Sequence, residues 1–183
     1  LGFAPGFTEL LRVATNRLGE VSSERVRDEL FKILNLANNE DSLRLLWYLG
    51  ILNEIFPCVP AFVSEPDSES NQAFEQRLKR VAMLENSLLQ IDYPQLAEQV
   101  SALHKTAHFP LDVWRDGLKD SLDKQITRGR YTRNLLVLLA LLLRQDVSEG
   151  AKSSVQAVIR YYKLSNDESS YLSRIERAYL SEF

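Results

Sequence analysis

Four cationic side chains stand close together in the sequence and could bind phosphate groups. No acidic residue separates Lys124, Arg128, Arg130 and Arg133. Arginines at the start of a helix can hold phosphate through their own charge and the free backbone amides, a contact with little base specificity. The competing interpretation is a solvated loop whose arginines pair with Asp120 and Asp123, and the sequence leaves both open.

A second set of cations lies in the first third of the chain. Its members are Arg25, Arg27, Lys32 and Arg44. Their helical spacing puts some of them opposite an apolar stripe. Acidic residues are interleaved with them, so pairs within a helix are the alternative use of the same side chains. The interleaved acids are Asp28, Glu29, Glu40 and Asp41.

Histidines and aromatic residues indicate no separate reactive site. His104 and His108 have the spacing of two metal ligands on one helix face, but no acidic residue at helical spacing completes a set. We therefore predict no metal site. Tyr161 and Tyr162 could stack on bases, although adjacent tyrosines near a turn are more often packing residues. Trp47 and Trp114 lie among leucines and valines and are predicted to be core residues.

The composition indicates a folded, reduced protein. Of the 183 residues, 45% are hydrophobic, and Cys58 is the single cysteine, so no internal disulfide or cysteine-based zinc cluster is expected. The longest apolar run, Leu135 to Leu143, is too short to cross a bilayer. We predict a cytoplasmic protein without a membrane segment. A net charge of −3 means that any binding to nucleic acid must come from a local group of cations.

Apolar residues recur at helical spacing along the chain, and no strand-like alternation competes with them. Serines 22 and 23 are suitable N-caps for a helix that carries Val26, Leu30 and Leu34. The predicted helices are Phe7 to Leu18, 23 to 38, 41 to 50, 74 to 91, 96 to 109, Leu111 to Ile126, Thr132 to Gln145, Ser148 to Lys163 and Asn166 to Phe183. The expected fold class is therefore all-α.

A polar, acidic stretch from Ser64 to Gln72 is typical of an exposed connection between two units. We predict a first helical bundle over residues 1–63, a linker over 64–73 and a second helical bundle over 74–183. The start at Leu1, with neither methionine nor a secretion signal, suggests a fragment of a longer chain.

Several segments resemble the family of bacterial tRNA nucleotidyltransferases and poly(A) polymerases. They are LGF at 1–3, VSSERVRDELFKIL at 21–34, LRLLWYLGILNEIFP at 43–57, GRYTRNLLVLLALLLRQD at 129–146 and IRYYKLSNDE at 159–168. The resemblance implies that residues 1–63 are the RNA-binding neck of such an enzyme and that 74–183 form a helical body of HD type. Where many relatives have His-Asp, this chain has Arg144-Gln145, so the HD-type metal site is expected to be lost.

The resemblance also implies a function. This chain would bind RNA, in particular the acceptor end of a tRNA, with Arg25, Arg27, Lys32 and Arg44 as contacts in the neck. It would position the RNA 3′ end for a catalytic head domain that adds CCA, A or poly(A). The paired carboxylates and the divalent metal, Mg²⁺, would belong to that head, so the chain alone would hold no cofactor and would not polymerise nucleotides. Two alternatives remain: a metal-free, HD-derived module for protein interaction or regulation, and a free-standing structural bundle. The oligomeric state is left open.

Overall fold

A computed structural model describes residues 6–36, 39–59, 62, 68–93, 115–143 and 153–181. Its elements are α1 (Phe7–Thr15), a 3₁₀ turn (Leu18–Glu20), α2 (Ser23–Ile33), α3 (Asn39–Tyr48), α4 (Ile51–Ile55), α5 (Ser68–Asp92), α6 (Arg115–Leu122), β1 (Gln125–Thr127), β2 (Arg130–Tyr131), α7 (Thr132–Leu142), α8 (Ser154–Tyr161) and α9 (Asn166–Leu180). The expected all-α class is confirmed. None of the helices in these ranges combines the length and apolar composition that a membrane span needs.

Serine side chains begin three of the helices. Ser22 accepts a hydrogen bond from the backbone amide of Arg25, as the sequence predicts, and Ser153 accepts one from Gln156 at the start of α8. Ser165 and Glu168 form a reciprocal capping box at the start of α9. Each cap satisfies amides that have no partner within the helix, so these boundaries are determined locally.

Helix α7 lies at the centre of the described fold. It has no polar face, because apolar residues line almost its whole circumference. Its fully or nearly fully buried apolar side chains are Leu135, Val137, Leu138, Leu139, Leu141 and Leu142. Helices α5, α6, α8 and α9 all pack against it. An element of this composition must be covered on every side, and the surrounding helices do so.

The first third of the chain joins the same core. Leu30 and Phe31 of α2 belong to one continuous cluster of buried side chains that also includes residues of α3, α5, α7 and α9. Trp47 is stacked on Phe74 of α5, with ring centroids 4.5 Å apart. Its predicted role in the core is confirmed. The predicted bundles on either side of residues 64–73 therefore share a single hydrophobic core in the described ranges.

The connection expected at 64–73 is helical from Ser68 onward. Helix α5 begins there, and the indole Nε1 of Trp47 donates a hydrogen bond to the Asn71 side chain at 3.0 Å. Asn71 and Gln72 are exposed, whereas Phe74 on the same helix is 2% exposed. Composition alone could not separate this solvated helix turn from a loop, since both are polar.

A small hairpin interrupts the helix predicted from Leu111 to Ile126. Helix α6 ends at Leu122, and β1 pairs antiparallel with β2. Gly129 adopts a positive φ of 73°, which a side chain would disfavour, and so forms the turn. The predicted helix is therefore wrong at Gln125 and Ile126, because strands of three and two residues are too short to show alternation in the sequence.

Large apolar side chains of α1 are at the surface. Leu10 is 70% exposed, Val13 60% and Phe7 41%, although α1 packs against α4. Amphipathic spacing identified the helix, but it did not identify what covers the apolar side. Several predicted features lie outside the described residues, namely Leu1 to Phe3, the helix carrying Leu96 to Leu103, His104, His108, Trp114 and Arg144-Gln145.

Two arginines of α5 close the carboxyl end of α7. The guanidinium of Arg77, only 6% exposed, donates to the carbonyl oxygens of Leu141, Leu142 and Leu143 at 2.8, 3.0 and 3.2 Å. Arg80 donates to the carbonyl of Leu143 at 2.6 Å. The last carbonyls of a helix have no partner within it and carry partial negative charge, so these cations stabilise the end of the central helix.

We predict that Arg77→Ala lowers the free energy of unfolding by about 2–4 kcal/mol, because buried carbonyls at the end of α7 would lose their charged donor. Urea denaturation followed by circular dichroism measures this change. Lys79→Ala, two residues away and exposed, is the matched control and should change stability by about 0.5 kcal/mol or less. Equal effects of the two substitutions would contradict the role of Arg77.

Candidate nucleic-acid interface

The four cations of the predicted phosphate site are divided by the fold. Lys124 and Arg128 are exposed, and neither side chain has an ionic partner among the described residues. The side chains of Arg130 and Arg133 are only 10% and 25% exposed and form ion pairs. Of the four cations, Lys124 and Arg128 are therefore available to a ligand, whereas Arg130 and Arg133 are used in internal ion pairs.

Arg133 holds two acidic residues. Its guanidinium donates to both carboxylate oxygens of Asp92, at 2.6 and 3.1 Å, and to Asp123 at 2.9 Å. The hydrogen bond from Arg133 holds the pKa of Asp92 below its ordinary value, although partial burial opposes this. The pair with Asp123 agrees with the alternative interpretation of the sequence, in which the arginines pair with nearby acidic residues. Asp92, at the end of α5, accepts two hydrogen bonds from Arg133 and is the stronger partner.

Arg130 is part of a buried ion pair. Its Nε lies 3.0 Å from a carboxylate oxygen of Glu168, whose side chain has no exposed surface, and its guanidinium lies 5.5 Å from the ring centre of Phe31. Burial lowers the pKa of Arg130, and the carboxylate of Glu168 opposes this shift. Glu168 also caps α9 through Ser165. The pair thus connects the hairpin to α2 and α9, and Arg130 is not available at the surface.

In the first third, three of the four cations have intramolecular partners. Arg27 donates to Asp28 at 2.9 Å and to the backbone carbonyl of Tyr162 at 3.1 Å. Arg44 bonds Glu40 and Glu75. Lys32 pairs with Glu29 at 2.8 Å, but both side chains are more than half exposed. Of these four cations, only Arg25 has a side chain without a partner among the described residues, and it is exposed.

The amides at the start of α7 are also occupied. The Thr132 amide donates to the carbonyl oxygen of Lys124 at 3.0 Å, and the Tyr131 amide donates to the side chain of Asn134 at 3.0 Å. The predicted mode, in which phosphate binds free amides at a helix start, is therefore opposed by these contacts. Phosphate binding at this place has to rely on side chains.

Three segments that are distant in the sequence form one surface, which we name the basic seam. It consists of residues 23–28 of α2, the hairpin turn 127–130 and the segment 160–168 between α8 and α9. Lys163 pairs with Glu24 at 2.6 Å, and the hydroxyls of Thr127 and Ser165 lie 3.3 Å apart. Six cations and four carboxylates lie in these segments. The seam is thus locally positive in a chain of net negative charge.

The seam includes cations that the sequence reasoning did not select. Arg160 and Lys163 are both exposed and stand on either side of the tyrosine pair in Arg160-Tyr161-Tyr162-Lys163. A basic residue at each side of two aromatic residues is itself a signal of nucleic-acid binding. The position of the tyrosines near a turn predicts packing residues; Tyr162 is buried, whereas Tyr161 is 37% exposed.

A groove of about 500 Å³ between α2, α3, α5 and α7 does not suit phosphate. Glu40, Asp41, Glu85 and Asp92 line it with apolar side chains, and its one cation, Arg133, is already paired. Within the described ranges, no three His, Cys, Asp or Glu side chains are arranged to hold a metal ion. The predicted lack of a metal stays a prediction, because both histidines lie outside those ranges.

Comparison with protein families gives a match over the first third of the chain. Residues 3–62, about a third of the chain, match the family described as "Probable RNA and SrmB- binding site of polymerase A". The match supports a poly(A) polymerase-related RNA-binding region and RNA as a partner. The comparisons with curated proteins and with solved structures gave no match.

The buried pair predicts a large loss of stability on removal of one partner. Glu168→Ala leaves Arg130 buried without its carboxylate, and we expect the free energy of unfolding to fall by about 3–5 kcal/mol. Asp167→Ala, at the neighbouring exposed position of α9, is the control and should cost about 0.5 kcal/mol. Chemical denaturation measures both, and a loss under about 1 kcal/mol for Glu168→Ala would rule out this role.

The Asp92 contact predicts a pH dependence of stability. Because Arg133 lowers the folded-state pKa of Asp92, the stabilisation is present above the unfolded pKa of about 3.9 and disappears as pH falls through the folded value. Asp92→Asn should cost about 1–2 kcal/mol at pH 7.

Urea denaturation of parent and variant from pH 7 to pH 3 provides the test. The difference in the free energy of unfolding should shrink below about pH 4. Glu29→Gln, which removes the exposed pair with Lys32, is the control and should cost about 0.5 kcal/mol or less. A difference for Asp92→Asn that stays constant down to pH 3 would exclude a lowered pKa.

Proposed function

We propose that this chain is the RNA-binding and positioning portion of a tRNA nucleotidyltransferase or poly(A) polymerase type protein. The observation that carries the proposal is the match of residues 3–62 to an RNA-binding region, together with the exposed, unpaired Arg25 that the matched helix α2 presents. Arg128 lies in the same basic seam and adds a second available charge.

The proposed mechanism is positioning. Side-chain contacts to phosphate hold the RNA backbone with little preference for sequence. An RNA held in this way keeps its 3′ end near a reacting centre, which replaces a bimolecular encounter with an effectively intramolecular one. In this proposal, the carboxylates and the divalent metal belong to a head domain, and the chain itself contributes no chemistry. The cytoplasm, where tRNA is processed, is the proposed location.

The basic seam contains residues of both the proposed neck, 1–63, and the proposed body, 74–183. Arg27 of the neck joins the two by donating to the backbone carbonyl of Tyr162. Both units would therefore contact the same RNA, with the acceptor end of a tRNA as the proposed ligand. The hydrophobic core that the neck and the body share would hold their RNA-contacting surfaces in a fixed position relative to each other.

A second candidate function is protein interaction by a metal-free, HD-derived helical module. The observation that favours it is the exposed apolar surface of α1, where Leu10 is 70% exposed, beside a groove that Val13 and Tyr48 line. The description of the matched family mentions SrmB as well as RNA. RNA remains the preferred ligand, because the available cations have a direct use in binding it.

We predict that Arg25→Glu combined with Arg128→Glu weakens RNA binding roughly 10- to 100-fold at low salt and leaves the helical content unchanged. Both side chains are exposed and unpaired in the described structure, so their replacement breaks no internal contact. The matched control is Lys79→Glu, an exposed cation on α5 outside the seam. Arg130 and Arg133 are unsuitable for this test, because charge reversal there would disrupt buried or bidentate pairs.

The measurement is fluorescence anisotropy of a tRNA and of a generic RNA hairpin of equal length over a range of salt concentrations. The parent should prefer the tRNA, and the double variant should show a shallower salt dependence because it makes fewer phosphate contacts. Absence of binding to either RNA at low salt would contradict the proposal and favour the protein-interaction module. Equal losses for the double variant and for Lys79→Glu would remove the seam from the proposal.

A further inference from the structure

Adjacent tyrosines at the end of α8 have different environments. Tyr162 has no exposed surface, and its hydroxyl donates to the backbone carbonyl of Ile55 in the core. Tyr161 is 37% exposed, and its ring meets that of Tyr162 edge to face, with the ring centres 5.1 Å apart. One tyrosine is thus a core residue, and the other is partly exposed to solvent.

The backbone around Tyr161 is held by side chains from three elements. The guanidinium of Arg27 donates to the carbonyl oxygens of Tyr162 and Lys163, at 3.1 and 3.4 Å. On the far side of the turn, Ser165 and Glu168 form the capping box of α9, and Thr127 contacts Ser165. A ring held on such a support loses little conformational freedom when it binds a flat ligand.

Cations flank the tyrosine pair along the chain. Arg160 and Lys163 lie on either side of the tyrosine pair, and the Arg25 side of α2 joins this segment through the ion pair between Lys163 and Glu24. That pair is solvent-exposed, with side-chain exposures of 70% and 42%. Exposed pairs contribute little to stability, so a phosphate can replace the carboxylate of Glu24 at small cost.

We propose that the basic seam binds single-stranded RNA, with an unpaired base stacked on the ring of Tyr161 and the adjoining phosphates on Arg160, Lys163 and Arg25. This inference rests on the proposed function and specifies the form of RNA bound. It also extends the RNA contact beyond residues 3–62, the part of the chain that matches a known RNA-binding region.

The combination of one exposed ring and several flexible cations favours a single strand over a duplex. A base in a duplex is already stacked on both sides and cannot reach a protein ring, whereas a base in a single strand is free to do so. Every base has a flat face, so stacking tolerates sequence. The capping box already occupies the start of α9, and the phosphates are therefore assigned to side chains.

The test compares Tyr161→Ala, Tyr161→Phe and the parent chain in anisotropy titrations. The probes are a fluorescent, unstructured 12-nucleotide RNA and a blunt-ended RNA hairpin with the same number of phosphates. Tyr161→Ala should bind the single strand roughly 5- to 100-fold more weakly and the hairpin about equally well. Tyr161→Phe keeps the ring and should bind as the parent does. Tyr48→Ala, an exposed tyrosine of α3 outside the seam, is the control.

The outcomes separate this inference from the function on which it rests. If the parent binds RNA and Tyr161→Ala binds the single strand equally well, the stacking role is wrong while the proposed function stands. A loss of the same size for the single strand and the hairpin would also overturn the inference, because it would show a general effect on the surface. Failure of the parent to bind either RNA would overturn both. Circular dichroism of each variant confirms that the fold is intact.

Discussion

The whole arrangement depends on the need to bury α7. A helix that is apolar around its circumference is stable in water only when other elements cover it completely. Helices α5, α6, α8 and α9 do so, and α2 and α3 join the same core from the first third of the chain. The ends of α7 then meet other parts of the protein, where Arg77, Arg80 and the Lys124 carbonyl bond its unpaired backbone groups. The position of each surface follows from this packing.

Arginine serves two different purposes in this protein. Some guanidinium groups are internal connectors, such as Arg77 at the end of α7 and Arg130 against Glu168. Arginine suits this purpose because its planar group can donate several hydrogen bonds at once and its charge persists when it is buried. The cations left over, Arg25 and Arg128 among them, are available to a ligand. A basic run in the sequence therefore overestimates the basic surface, because some of its charges are used internally.

The basic seam crosses a proposed domain border. Its cations come from α2, which lies in the part of the chain that matches an RNA-binding family, residues 3–62, and from the hairpin and the α8–α9 segment far along the chain. The structural arginines hold these parts together: Arg27 bonds the backbone at Tyr162, and Arg130 lies between Phe31 and Glu168. Internal contacts thus position the exposed charges. Arg27 and Arg130 thus lie in the seam as internal contacts between its segments, while its exposed cations face solvent.

The sequence by itself determined the features that depend on neighbours a few residues away. The all-α class, the Ser22 cap and the central apolar helix follow from helical spacing and local hydrogen bonding, and the resemblance of the first third to an RNA-binding region follows from local motifs. Only the tertiary structure decided which cations remain available. Arg133 finds Asp92 at a separation of 41 residues, and Arg27 finds the carbonyl of Tyr162 at a separation of 135. The exposure of Tyr161 and the hairpin at Gly129 were likewise decided by packing against distant elements. Helical spacing predicts which residues share one face of a helix. What packs against that face depends on contacts between residues far apart in the chain.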